Sequence, residues 1–132
     1  MHEVIINRTR RIITFKASGT ISTPVMKDIL EEAKQATDGF KGQPHFVIAD
    51  LRGLAPLSPE TTAIMGEIIK YGRARGTVCC VHLSDSSIAR LQASRLAREA
   101  SPYDDITVNV VSMEEGERII AEKEKQLPKA AK

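Results

Sequence analysis

The chain opens with two short runs of β-branched and aromatic residues, at positions 4–6 and 11–17, which flank the polar stretch 7–10. Such runs on either side of a short polar connection are typical of a β-hairpin, so we predict two antiparallel strands. Three further apolar runs of strand length follow at 45–51, 77–83 and 106–111. The first two of these are apolar almost throughout, which indicates strands buried on both faces.

Four other segments carry apolar residues at helical spacing, each behind residues that commonly cap a helix. The first two begin at Thr23-Pro24 and Ser58-Pro59, where we predict that the hydroxyl residue caps the helix and the proline is its first residue. The third is predicted to run from the polar cluster at 84–87 to about residue 100. The fourth begins at a capping box, residues 112–115.

The predicted order of elements is strand, strand, helix, and then three alternations of strand and helix. A hairpin followed by alternating βα units predicts an α/β fold. Its mixed β-sheet would consist of the N-terminal antiparallel hairpin and then parallel strands, covered by about four helices. We predict one domain over residues 1–127 and a frayed tail at 128–132.

The charges of the chain nearly cancel, since 19 Lys and Arg against 17 Asp and Glu leave a formal net charge of +2. Proteins held to nucleic acid by charge usually present a strongly basic face, so we expect no nucleic-acid partner. No apolar run reaches the roughly 18 residues of a membrane span, and the N-terminal residues lack the layout of a signal peptide. We therefore expect no membrane insertion and a cytoplasmic location.

The cysteines and histidines do not suggest a redox or metal centre. Cys79 and Cys80 are neighbours in a predicted strand, where they would point to opposite faces, so we expect two buried thiols rather than a disulfide. His2, His45 and His82 are scattered without metal-ligand spacing. We predict neither a metal nor a cofactor.

Polar side chains cluster where the parallel strands end, which is where ligands bind in open α/β sheets. Asp50 and Arg52 follow one strand, and His82, Ser84 and Asp85 end the next. One interpretation is a small anion held near four residues, Arg52, Ser58, Thr61 and Thr62, by the N-terminus of the second helix. The alternative is that Ser58 only caps the helix, Asp50 binds loop amides and Arg52 is solvated.

Two other groups of residues suggest further hypotheses. His82, Asp85 and Ser86 are the residue types of a hydrolytic triad, although no nucleophile elbow or oxyanion motif accompanies them. Arg90, Arg95 and Arg98 would share one side of the third helix, either as a docking face for an acidic partner or as an ordinary solvated face.

The order of the elements, the size and the stretch Val-Ile-Ala-Asp-Leu-Arg-Gly-Leu at 47–54 resemble the STAS family of sulfate-transporter and anti-sigma-factor-antagonist domains. The helix end Arg-Ala-Arg-Gly at 73–76 fits the same pattern. The resemblance implies a bacterial, non-enzymatic regulatory domain that binds a protein, such as an anti-sigma factor or a serine kinase-like regulator. Where the family has its phosphorylated serine this chain has Pro59, with Ser58 at the family's Asp and Thr61 at its Gly.

We therefore predict a docking surface on the loop 54–58 and the start of the second helix. Its predicted members are Asp50, Arg52, Leu54, Pro56, Leu57, Ser58, Thr61 and Thr62, of which Ser58 and Thr61 are candidate phosphorylation sites. The alternative is a carrier of a small apolar or lipid ligand, in which Met26, Met65 and Met113 would line an adaptable pocket. The hydrolase with His82 and Asp85 is the third hypothesis.

Overall fold

The structure is a computed structural model that describes residues 1–85 and 105–127. The strands are β1 (His2–Asn7), β2 (Ile12–Ala17), β3 (His45–Asp50), β4 (Thr77–Leu83) and β5 (Thr107–Val110), and the helices are α1 (Thr23–Asp38), α2 (Pro59–Ala74) and α3 (Met113–Gln126). Most of the predicted third helix, with Ser86, Arg90, Arg95 and Arg98, lies outside the described residues, as does the predicted tail 128–132.

The five described strands form one sheet in the order β1-β2-β3-β4-β5. β1 pairs with β2 in antiparallel fashion, and each later strand is parallel to the one before it. This confirms the predicted mixed sheet with its N-terminal hairpin. Because right-handed crossovers that always step in one direction place their helices on one side, α1 and α2 share a face of the sheet.

The two faces have separate apolar cores. On the α1/α2 face, Ile21, Met26 and Ile29 pack against Ile64 of α2. On the opposite face, α3 buries Ile120 completely among apolar side chains of the central strands. Both faces of β3 and β4 are thereby covered, which explains why their sequences are apolar almost throughout.

The cap of α1 differs from the prediction by one residue. The Oγ of Ser22, and not that of Thr23, accepts a hydrogen bond from Val25 N, so Ser22 is the N-cap and Pro24 is the second helical residue. The hydroxyl of Thr23 instead donates to the carboxylate of Glu60 in α2, at 3.2 Å. Two adjacent hydroxyl residues offer equivalent local caps, and this contact between the helices occupies one of them.

The other predicted caps and the cysteine prediction agree with the structure. Ser58 caps α2 with Pro59 as its first residue, and Ser112 caps α3 by accepting from Glu115 N. Cys79 and Cys80 are both buried free thiols. Within the described residues, the helices are too short or too polar to cross a membrane.

Candidate functional site

The candidate site begins at the carboxyl end of β3, where Asp50 and Arg52 form a bidentate ion pair. The Nε and Nη2 of Arg52 donate to the two carboxylate oxygens of Asp50, each at 2.9 Å, and the backbone N of Arg52 adds a contact of 3.3 Å. Asp50 is buried, and the guanidinium holds the pKa of its carboxyl below the usual range. Arg52 is half exposed, so one side of its guanidinium still faces solvent.

The backbone of the next residues is attached to two neighbouring segments. Gly53 donates its N–H to the carboxylate of Asp85 at 2.6 Å, and its carbonyl accepts from Gly19 N at 2.8 Å. The carbonyl of Gly19 accepts in turn from Ala55 N. Gly53 has φ +79°, a conformation that favours glycine. The loop is therefore held in one conformation by bonds on both sides.

The apolar residues of the loop divide into anchors and exposed positions. Leu54 and Leu57 are partly buried, because they pack against the α1/α2 core. Pro56 between them is exposed. The leucines thus contribute to stability as well as to the loop surface, so replacing Leu57 would change both at once.

The hydroxyl groups at the start of α2 form hydrogen bonds within the first turn of the helix. The Oγ of Ser58 accepts from Thr61 N at 3.2 Å and lies 3.0 Å from the Oγ1 of Thr61. The hydroxyls of Thr61 and Thr62 both donate to the carbonyl of Ser58. Thr61 is 1% exposed and Thr62 is 7% exposed. Of the two candidate phosphorylation sites, Ser58 is the accessible one in this conformation.

The predicted anion site has little room at this helix end. Ser58 already satisfies the amide of Thr61, which is one of the N–H groups that an anion would use. Two nitrogens of the Arg52 guanidinium already donate hydrogen bonds to Asp50. The geometry therefore favours the alternative in which Ser58 caps the helix.

The hydrolase hypothesis gains no support from the positions of its residues. His82 is 2% exposed and lines an apolar cavity between the sheet and the helices α1 and α2. Asp85 is exposed, and its carboxylate binds the loop amide of Gly53. Asp85 thus acts as a structural anchor, which the sequence suggested only as a possible helix cap.

Two of the three methionines named for the carrier hypothesis lie in one cavity. Met26 and Met65 line the cavity on the α1/α2 face, but Met113 packs in the core of the opposite face. The cavity has a volume of about 60 Å³. This volume is below the roughly 150 Å³ of an apolar cavity that binds benzene, so the cavity gives the carrier hypothesis no support.

A larger open groove of about 300 Å³ adjoins the ion pair at the carboxyl ends of β2 and β3. Lys16, Ser18, Asp50 and Arg52 line it together with the first residues of β1. Lys16 of β2 is the register partner of Asp50 in β3, which could not be predicted because a helix separates the two strands in the sequence. Among the described residues, no group of three His, Cys, Asp or Glu side chains could hold a metal ion.

Only the comparison of structures finds known proteins that are similar to this chain. No protein-family model matches the sequence, and no curated protein matches it. A solved structure of the Bacillus cell fate determinant SpoIIAA in its phosphorylated form is similar, with a TM-score of 0.62 and 14% identity over 90% of this chain and 99% of that chain. The unphosphorylated form of the anti-sigma factor antagonist SpoIIAA gives a TM-score of 0.62 and 13% identity over 92% of this chain and 97% of that one. The chain therefore has the SpoIIAA-like α/β fold that its resemblance to the STAS family implied.

Proposed function

We propose that this chain is a non-enzymatic regulatory domain that binds a protein partner at the carboxyl end of its sheet. The proposed docking surface consists of the exposed residues Arg52, Pro56, Ser58, Glu60 and Ala63. The observation that carries the proposal is the loop 51–55, whose backbone is bonded to neighbouring segments while the side chains of Arg52 and Pro56 face solvent. The likeness in fold to an anti-sigma factor antagonist supports a protein as the partner.

The fixed loop lowers the entropic cost of binding. A surface that already has its bound conformation does not lose backbone freedom when the partner arrives. The half-exposed guanidinium of Arg52 and the exposed carboxylate of Glu60 add charges of opposite sign, which would orient the partner. The partner classes that fit are those the family resemblance implied, an anti-sigma factor or a serine kinase-like regulator.

Pro59 makes the proposed docking surface constitutive. A proline cannot accept a phosphoryl group, and this one forms the first residue of a well-capped helix. Ser58 remains the candidate for modification, since its hydroxyl is at the helix N-terminus, where the helix dipole favours a negative phosphate. Thr61 would accept a phosphoryl group only if the first turn of α2 opened.

The proposal is tested by placing the same bulky charge at both ends of α2. Ala63 and Ala74 are both exposed in this helix, but only Ala63 lies in the docking surface. We expect Ala63→Arg to reduce partner capture from a cell lysate by about tenfold or more, because a central steric and charge mismatch commonly costs over 1 kcal/mol. Quantitative mass spectrometry of the captured proteins provides the measurement.

Ala74→Arg is the matched control, and it should leave capture and melting temperature unchanged. Circular dichroism should show that Ala63→Arg is folded as well. Equal capture by the wild type and by both variants would refute the proposed surface. Loss of capture by both variants alike would also refute it, because the effect would then not belong to the loop end of α2.

A further inference from the structure

Strand β1 lies at an edge of the sheet. Its register with β2 determines which of its N–H and C=O groups point towards β2 and which point away from it. Met1 and Ser18 exchange both backbone hydrogen bonds, at 3.0 and 3.2 Å. Antiparallel pairs alternate between bonded and non-bonded positions, and the register from His2 to Asn7 is uninterrupted. The N–H and C=O groups of His2, Val4 and Ile6 therefore point away from β2, towards the open edge.

This edge has only one of the features that usually prevent strand pairing, the exposed charge of Glu3 near its N-terminal end. Natural edge strands are protected by proline, lysine, bulges or short length. β1 has six residues, HEVIIN, without proline, lysine or a bulge. Ile5 and Ile6 are 43% and 37% exposed, so apolar side chains flank the open backbone groups on both faces. Within the described residues, β1 pairs with β2 alone.

We propose that β1 pairs with β1 of a second copy of this chain, antiparallel across a two-fold axis. In such a dimer each outward-pointing residue must oppose another outward-pointing residue, so the axis passes through a residue and not between two residues. An axis at Glu3 would oppose two carboxylates, which is destabilising. An axis at Ile5 sets Ile5 against Ile5, Val4 against Ile6 and Glu3 against Asn7.

The register with Ile5 on the axis is the one that the side chains favour. It places apolar residues opposite apolar residues at the centre and a carboxylate opposite an amide at each end. An axis at Val4 would instead set Glu3 against Ile5. The second copy thus supplies both the backbone groups and the side chains that this edge lacks, and the two sheets become continuous.

The interface would be small, because it consists mainly of one strand from each copy. Stable dimers commonly bury about 1,200–2,000 Å² in total, which one pair of short strands does not reach alone. We therefore expect a dimer that forms and dissociates with protein concentration. The inference does not rest on the proposed function, because the edge of β1 and the docking surface have no residue in common.

The test places charges on the two-fold axis and measures mass by sedimentation equilibrium of the full chain over a wide concentration range. Wild type should pass from monomer to dimer. Ile5→Lys and Ile5→Glu should each weaken dimerisation by about 100-fold, since like charges across an interface are strongly repulsive. An equimolar mixture of the two variants should dimerise again, because the opposite charges would then face each other.

Val111→Lys is the matched control, since Val111 is a β-branched residue with 44% exposure that lies outside β1. It should dimerise like the wild type. A wild type that stays monomeric at every concentration would overturn the proposal, as would a dimer that survives Ile5→Lys. A mixture of Ile5→Lys and Ile5→Glu that stays monomeric would overturn the register.

Amide hydrogen exchange tests the same pairing in the unmodified chain. As the concentration rises, the amides of Val4 and Ile6 should gain protection, while that of Ile5, already bonded to β2, should not change. Equal behaviour of all three amides would contradict the proposal. Protection that appears only when an extended peptide is added would assign the edge to a different partner.

Discussion

At the residue scale, the buried side chain of His45 has surroundings that favour its neutral form. His45 is fully buried; its Nδ1 donates to the carbonyl of Gln43 at 2.9 Å, and its Nε2 accepts from the hydroxyl of Thr77 at 2.7 Å. Its ring stacks on Phe40 with 5.0 Å between centroids. Burial is the main cause that lowers the pKa of His45. Both ring nitrogens are thus used in the neutral tautomer.

This histidine should make stability depend on pH. Because the pKa of His45 is lowered in the folded state, its contribution to the free energy of unfolding is fully present above the unfolded value of about 6.5. It is lost as the pH falls from there towards the folded pKa, since the unfolded chain then binds the extra proton. Urea denaturation at about pH 7.5 and pH 5.5 measures the loss.

His45→Gln is the variant that isolates this effect. It should be less stable than the wild type at the higher pH, and the difference should shrink at the lower pH. An unchanged difference between wild type and His45→Gln at the two pH values would contradict the assignment.

At the element scale, the position of α3 depends on one glycine. A Cβ atom built on Gly116 would lie 2.9 Å from Cγ1 of Val81, a fully buried residue of β4. The helix can therefore approach the sheet only because this position has no side chain. Ile120, one turn further along, is completely buried as a result of the same approach.

Gly116→Ala should therefore destabilise the fold, although alanine is the better helix former. The gain in helix propensity is about 1 kcal/mol, whereas overpacking a core typically costs about 1–3 kcal/mol. The double variant Gly116→Ala with Val81→Ala should be more stable than the sum of the two single effects, because the new methyl occupies the vacated space. Urea denaturation of all four proteins provides the measurement; purely additive costs would be inconsistent with this contact.

At the scale of the whole molecule, the side chain of Arg10 links α3 to the turn of the N-terminal hairpin. Arg10, in the turn between β1 and β2, binds Glu117 at 3.1 Å and Glu124 at 2.7 Å through separate nitrogens. These hydrogen bonds raise the pKa of Arg10. The contacts span 107 and 114 positions of the sequence, so they connect the first and the last described elements.

Arg10→Gln should lower the free energy of unfolding by about 1 kcal/mol at low salt, because exposed ion pairs are individually weak. The loss should diminish at high salt, where charges are screened. Arg8→Gln in the same turn is the control, since Arg8 forms no salt bridge within the described part of the chain. Denaturation of the three proteins at two salt concentrations measures the effect; equal losses for both variants would contradict it.

Much of the fold was predictable from the sequence, whereas much less of the candidate site was. The hairpin, the parallel strands and the helices α1, α2 and α3 follow from local periodicity and caps. The accessibility of the hydroxyls did not follow, since Thr61 and Thr62 are buried by the turn that Ser58 begins. The anchoring of the loop by Asp85 also required the fold, because Gly53 and Asp85 lie in different βα connections.

The sequence by itself determined the order and type of the described elements and which of their strands are buried on both faces. It could do so because the spacing of apolar residues along the chain indicates which face of a strand or helix is buried. Only the tertiary structure decided which distant groups meet, as Arg10 meets α3 and His45 meets Thr77, and which of the described strands lies at an edge of the sheet. These contacts depend on how whole helices and strands pack together. The local pattern of apolar and polar residues does not show which distant residues will be neighbours.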